Sequence, residues 1–193
     1  MDLRCFVSDG LLTPLQVSDC FILKGLAVDS RKVVAGGVFF AVPGHTVDGA
    51  DYISIAVEKG AGAIIVSDDI DLSKIQPYLD QCLFFKTSNV RKAAGLIAEC
   101  YYQNKPQKCV AVTGTNGKTS IVTLLRQMWA QLGIKAASMG TLGIQIEGQG
   151  EIQSEINQGS LTSPDVLDFY QTLADLKNKD CLLYTSPSPR DRG

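Results

Sequence analysis

The sequence predicts an α/β fold in two parts, a small α/β domain followed by the start of a P-loop-like domain on a mostly parallel sheet. Three observations predict it. Short apolar runs alternate with stretches of helical periodicity. A glycine- and lysine-bearing run, Thr113-Gly114-Thr115-Asn116-Gly117-Lys118-Thr119-Ser120, stands between an apolar strand and an amphipathic stretch. The composition, 45% hydrophobic and 20% charged, is that of a soluble globular chain.

The elements follow in order. Gly37 to Val42 reads as a strand ended by Pro43-Gly44. Tyr52 to Lys59 reads as a short helix with Ile53, Ala56 and Val57 on one face, stopped by Gly60. Ala63 to Val66 is a buried strand, Leu72 to Leu79 a weak helix interrupted by Pro77, and Leu83 to Phe85 another strand. These make a first domain over residues 1–88. A second domain, residues 89–180, opens with a helix from Val90 to Tyr102, with Ala94, Ile97, Ala98 and Tyr101 on one side. Cys109 to Val112 is a strand, and Ile121 to Leu132 a helix. Ile121, Leu124, Leu125, Met128, Trp129 and Leu132 form one stripe at helical spacing, Met128 and Trp129 are expected as core packing, and Gly133 is expected to end the helix. Ile134 to Ser138 is a strand, Gly140 to Gly143 a turn, and 145–160 a hairpin or loop. Pro164 to Leu176 reads as a helix with Ser163 as N-cap.

Residues 181–193 break the pattern. Thr185-Ser186-Pro187-Ser188-Pro189-Arg190 has no periodicity, and a disordered tail or non-native sequence is expected there. The sheet then has too few strands for a parallel domain, which reads as a truncated protein.

Gly114 and Gly117 allow a tight turn and close approach of backbone to ligand. The helix that follows presents unpaired N–H groups and a positive dipole end, where anions collect. Lys118 would reach outer phosphates as a point charge, and the Thr119 hydroxyl is suited to Mg²⁺. The run departs from the strict G-x-x-x-x-G-K-[ST] pattern, because Val112 stands where the first glycine belongs. ATP with Mg²⁺ is therefore the expected ligand of Gly114, Thr115, Asn116, Gly117, Lys118, Thr119 and Ser120, with Lys118 the residue expected to carry catalytic weight.

Other classes are disfavoured. A net charge of −2 gives no electrostatic case for nucleic acid. No apolar run approaches a membrane span, and Met1-Asp2-Leu3-Arg4 lacks a signal-peptide layout. Six cysteines without a C-x-x-C pair and a single histidine, His45, argue against zinc. Free thiols suit a reducing cytoplasm, and Cys82 and Cys109 are expected as small core residues. Two further constellations are open to either reading. Val28-Asp29-Ser30-Arg31 and His45-Thr46-Val47-Asp48-Gly49 read first as turn and cap residues, with convergence on one pocket the alternative. Leu161-Thr162-Ser163-Pro164-Asp165 is a helix start that could also bind phosphate.

Taken together, these segments resemble the Mur ligases, ATP-dependent amino-acid-adding enzymes of peptidoglycan synthesis, over roughly residues 25–180. The carrying residues are Val28 to Arg31, Gly37 to His45, Asp48 to Ile53, Thr113 to Ser120, Gly140 to Gly143 and Leu161 to Asp165. The resemblance implies that residues 1–88 bind a UDP-muramyl substrate and that 89–180 begin the ATPase domain. It implies contacts to the UDP-sugar from Val28, Ser30, His45, Thr46, Val47, Thr162 and Ser163. Ser163 replaces a threonine, and Leu161 an asparagine seen in some members. Gly140 to Gly143 with Leu161 to Asp165 favour the branch that adds a diamino acid to UDP-N-acetylmuramoyl-L-alanyl-D-glutamate, meso-diaminopimelate before L-lysine. The implied protein is a cytoplasmic monomer whose route is an acyl phosphate, and the chain as given is expected to be inactive alone. The dipeptide-adding Mur ligases share the Asp-Ser-Arg and Asp-Gly patterns. Folylpolyglutamate synthetases share the loop but not residues 1–88. A non-catalytic nucleotide- or UDP-sugar-binding module is the alternative of a different class.

Overall fold

Short apolar runs become strands, and helices close over them to form two α/β units. The computed structural model describes residues 2–16, 21–44, 48–140, 143–148, 151–155, 165–181 and 183–187. The units are Met1–Tyr101 and Tyr102–Gly193. The helix at 90–101 therefore groups with the first unit, whereas the sequence reading drew its boundary at 88. The cause is packing: that helix lies on two strands of the first sheet.

The first unit runs α1 (Arg4–Ser8), β1 (Thr13–Pro14), β2 (Leu26–Ala27), β3 (Val38–Phe40), α2 (Ile53–Glu58), β4 (Ala63–Ser67), β5 (Leu83–Thr87) and α3 (Val90–Tyr101). Its sheet has the order β1-β5-β4-β3-β2, parallel except for β1. Residues Ala63 to Val66 are buried throughout, as a parallel strand covered on both faces requires. Phe39, Ile64, Val66 and Phe84 pack with Ile53 and Ala56 of α2 and with Ile75. Val90, Ala93, Ala94, Ile97 and Ala98 are the buried line of α3.

Several local forms differ from expectation. α2 is preceded by a 3₁₀ turn, Gly49–Tyr52, that Asp48 caps by accepting from Ala50 N–H. The helix expected over Leu72 to Leu79 is two 3₁₀ turns, Leu72–Lys74 and Gln76–Tyr78, because Pro77 cannot continue an α-helical ladder. β1 and β2, two residues each, carry no detectable periodicity. Gln16 completes the sheet edge beyond β1. Its amide donates to Leu79 O at 2.9 Å and Cys82 O at 3.1 Å, and its Oε1 accepts from Phe84 N–H at 2.8 Å. Burial pushes the Cys82 thiol up to about 11, whereas Cys109 is exposed rather than core.

The second unit runs β6 (Lys108–Val112), α4 (Lys118–Gln131), β7 (Ala136–Gly140), β8 (Gly143–Gly148), β9 (Glu151–Glu155), α5 (Val166–Asn178) and β10 (Leu183–Pro187). Its sheet order is β6-β10-β7-β8-β9, with β6, β10 and β7 parallel and β7-β8-β9 an antiparallel meander. The expected hairpin is thus present as β8-β9. Strand β10 departs from the expectation of disorder over 183–187, within the 181–193 tail. It fills the place between β6 and β7, with Thr185 paired to both Val110 and Ser138. Two parallel strands one strand-width apart leave backbone donors and acceptors that only a strand satisfies, and Pro187 stands at its end. Residues 188–193 lie outside the described residues.

Helices cover both faces of this sheet. Ala137, Met139, Ile144 and Ile146 pack against Leu173 and Leu176 of α5. On the alternate face lies α4, through Val122, Arg126 and Ala130. Of that stripe, Ile121, Leu124, Met128 and Leu132 are exposed, Leu132 by 72%, whereas Leu125 and Trp129 are half-buried, so Met128 is not the core residue expected. Helical spacing identified one apolar face, but the sheet takes the face that carries Arg126. The N-cap of α5 is Asp165, not Ser163, since its carboxylate accepts from the N–H groups of Leu167 and Asp168.

Gly133 ends α4 with φ 76°, and its N–H donates to Ala130 O while Ile134 N–H donates to Trp129 O, both at 3.0 Å. Gly133→Ala forces an L side chain into the left-handed region and is expected to lower unfolding stability by roughly 1 kcal/mol. Chemical denaturation measures it, and an unchanged midpoint contradicts the assignment.

Candidate functional site

The loop between β6 and α4 is built to leave a helix end open. Val112, the last residue of β6, is buried, and the chain then turns through Gly114 (φ 145°) and Gly117 (φ 78°) before α4 begins at Lys118. A Cβ on Gly117 would meet nothing within 4 Å, so its left-handed φ, not crowding, calls for glycine. As N-cap, Gly117 offers no side-chain acceptor, and no acidic residue occupies the first turn. The contrast with α5, capped by Asp165 and carrying Asp168, is direct. The first turn of α4 therefore has no side-chain cap, and the positive end of its dipole suits an anion.

Lys118 folds over the loop. Its ammonium donates to the carbonyl oxygens of Gly114 and Thr115, the latter at 3.5 Å. Thr115, Asn116, Gly117, Thr119 and Ser120 are exposed around it. Thr119 also lines a small cleft with Val122, Ser138, Gly140, Gly143 and Gln145. The seven loop residues expected from sequence are thus contiguous at one helix end. No cluster of three or more His, Cys, Asp or Glu side chains able to hold a metal occurs among the described residues. A single hydroxyl such as that of Thr119 fits Mg²⁺, which keeps several waters and takes phosphate oxygens as its remaining ligands.

A second candidate site lies in the first unit. Parallel pairing of β2, β3 and β4 sets the segments after them at one end of the sheet, where open α/β sheets hold ligands. Asp29 caps the 3₁₀ turn Ser30–Lys32, accepting from Arg31 N–H at 2.9 Å and pairing with the Arg31 guanidinium at 2.8 Å. Ser30 is buried. Lys59 donates to Arg31 O at 2.6 Å, fixing the turn to the residue that follows α2. The hydrogen bond from Arg31 holds the Asp29 carboxyl below its ordinary value.

The segment after β3 returns on itself: Gly49 N–H donates to Val42 O at 3.0 Å. Asp48 lies 3.6 Å from Lys74, which pairs with Asp51 at 2.8 Å. Asp48 and Lys74 line a cavity of about 220 Å³ with Pro43, Ser67, Asp69 and Asp71. Val28 and Ser30 are not among its lining residues. His45, Thr46 and Val47 lie outside the described residues, as do Thr162 and Ser163. Sequence reasoning missed Lys74, Asp69 and Asp71, which carry no motif and meet Asp48 only through the fold.

Comparison with known proteins places both units. Residues 23–106 match the Mur ligase family catalytic domain, and 112–185 the Mur ligase middle domain. The chain is 39% identical over 155 residues to the UDP-N-acetylmuramoyl-L-alanyl-D-glutamate–2,6-diaminopimelate ligase of Caulobacter vibrioides, covering 80% of this chain and 31% of that one. A solved structure of a ligase of the same name superposes with a TM-score of 0.66 at 25% identity, over 86% of this chain and 32% of that one. MurF ligase from Thermotoga maritima in complex with ADP shares the fold, with a TM-score of 0.50 at 22% identity over 89% of this chain and 33% of that one. The chain spans about a third of the length of these relatives.

Two expectations follow from the first unit. A Cβ at residue 49 would stand 2.5 Å from Val42 N and 2.7 Å from Val42 O, both backbone atoms that cannot swing away. Gly49→Ala should therefore displace the 43–48 segment and lower stability by more than about 1 kcal/mol, read by thermal unfolding; wild-type behaviour contradicts the packing. The second concerns pH. Since the folded-state value of Asp29 is lowered, its stabilisation is present above the unfolded value near pH 4 and is lost as pH falls through the folded value. An NMR titration should place the Asp29 midpoint below that of an Arg31→Ala variant, and equal midpoints refute the pairing.

Proposed function

Because the chain belongs to the Mur ligase family, we propose that the protein it is part of joins a diamino acid to UDP-N-acetylmuramoyl-L-alanyl-D-glutamate at the expense of ATP. The observation that carries the ATP part is the uncapped N-terminus of α4 under Lys118. The substrate part is supported by relatives named as 2,6-diaminopimelate ligases, which favours diaminopimelate over lysine.

The chemistry follows from what the loop can do. ATP seats its outer phosphates on the first-turn amides of α4 and the loop around Gly114 and Gly117. Lys118 leaves the carbonyls of Gly114 and Thr115 and turns to the phosphates, supplying positive charge where the transferring group gathers negative charge. The Thr119 hydroxyl would hold Mg²⁺, whose chemistry is to neutralise phosphate charge. The carboxylate of the terminal D-glutamate takes the γ-phosphoryl group with release of ADP. The amine of the incoming amino acid then displaces phosphate, forming the amide.

The UDP moiety is assigned to the first unit, with contacts from Val28, Ser30, His45, Thr46 and Val47. Thr162 and Ser163 are assigned to the sugar-peptide. The protein is proposed to act as a cytoplasmic monomer. Among the described residues, no helix is long and apolar enough to cross a membrane.

Lys118→Ala in the full-length protein is expected to reduce ATP turnover by at least about a hundredfold, because one preorganised charge is removed from the transferring group. A coupled ADP-release assay measures it, and near-normal turnover refutes the assigned role. Calorimetry on the 193-residue chain separates the two substrates: the UDP-muramyl dipeptide should still bind when Lys118 is replaced, and simultaneous loss of both ligands contradicts separate sites.

A further inference from the structure

Arg126 is the buried charge that the phosphate loop does not explain. It lies on α4, 2% exposed, and reaches into the sheet. Its Nε donates to Glu147 Oε2 at 2.9 Å, and its Nη1 donates to Ser138 Oγ at 2.6 Å and to Gln145 Oε1. Ser138 and Gln145 are direct cross-strand partners, and Glu147 opposes Ala136 on the same face of the hairpin. One guanidinium therefore reads three positions of the β7-β8 ladder at once.

Register is what these bonds specify. Alternation of Ile144 and Ile146 toward α5 rejects a slip of one residue, which would turn them out of the core. A slip of two keeps that alternation, but it moves Gln145 away from Ser138 and breaks the fork. The same slip would move Gly140 and Gly143, the last pair of the hairpin, which line the cleft beside Thr119.

We propose that Arg126 is a positioning residue that pins the β7-β8 register and thereby holds Gly140 and Gly143 against Thr119 at the nucleotide loop. The coupling half of this rests on the nucleotide reading given above. Lysine cannot replace it, since a point charge does not reach three acceptors arranged for a planar fork.

The test replaces the polar cluster with apolar groups, a change that buried ion pairs commonly tolerate. In the 193-residue chain, Arg126→Met with Ser138→Ala and Glu147→Leu should keep cooperative thermal unfolding. Without nucleotide, amide exchange across 143–148 should rise about tenfold while β3 and β4 stay unchanged, and affinity for ATP with Mg²⁺ should fall about tenfold. Arg126→Lys should not restore either value. A folded triple variant with parental exchange overturns the pin, and faster exchange with parental ATP affinity overturns the coupling. If the triple variant does not fold, Gln145→Ala decides: weaker ATP binding at parental melting temperature supports the proposal, and parental affinity overturns it. Failure of the unmodified chain to bind ATP overturns the nucleotide reading instead, and exchange alone then decides the pin.

Discussion

The second unit depends on a helix end left without a cap. No side chain of the first turn of α4 takes the place of an anion. Gly117 takes the left-handed conformation and brings no side-chain acceptor, and no carboxylate enters the first turn. Lys118 donates to the loop carbonyls of Gly114 and Thr115. Orphan amides at a helix N-terminus must find partners. At α5 the chain supplies the Asp165 carboxylate, and at α4 no side chain caps the helix, the contrast on which the proposed phosphate site rests.

An open helix end is useful only when the helix cannot shift. The Arg126 cluster and the left-handed stop at Gly133 address that at successive turns of α4. Arg126 and Glu147 are a nearly fully buried pair, 2% and 12% exposed. Removing one partner would leave a buried charge uncompensated, at a cost of about 3–5 kcal/mol. Such a pair adds little net stability over an apolar contact, so its value lies in the geometry it selects. The first unit uses lighter devices at its strand ends. The Asp29–Arg31 pair and the Lys74 pairs are largely exposed, and the close approach of Gly49 to Val42 carries most of the fixing there.

The parts legible in the sequence are those whose signal is local. The loop from Thr113 to Ser120 announces itself by residue type and spacing, as do the buried strands around Phe39, Ile64 and Phe84, which are apolar in unbroken runs. Illegible parts are those decided by distant partners. Arg126 reads as a solvated helix position until β7 and β8 bring Ser138, Gln145 and Glu147 to it. The stripe from Ile121 to Leu132 has correct helical spacing, but periodicity cannot say which face a sheet will take. Leu183 to Pro187 has no strand pattern of its own and is recruited by the gap between β6 and β7. Asp165 and Ser163 are equally good caps by type, and the chain's entry into α5 chooses between them.

The central claim is that the first turn of α4 binds the outer phosphates of ATP. Amide chemical shifts of Gly114 to Ser120, followed in the 193-residue chain during titration with ATP and Mg²⁺ and in parallel with AMP, test it most directly. The account predicts large, saturable shifts at Gly117 to Ser120 with ATP and none at the same concentration of AMP. Equal responses to both nucleotides, or shifts that avoid this turn, would contradict it.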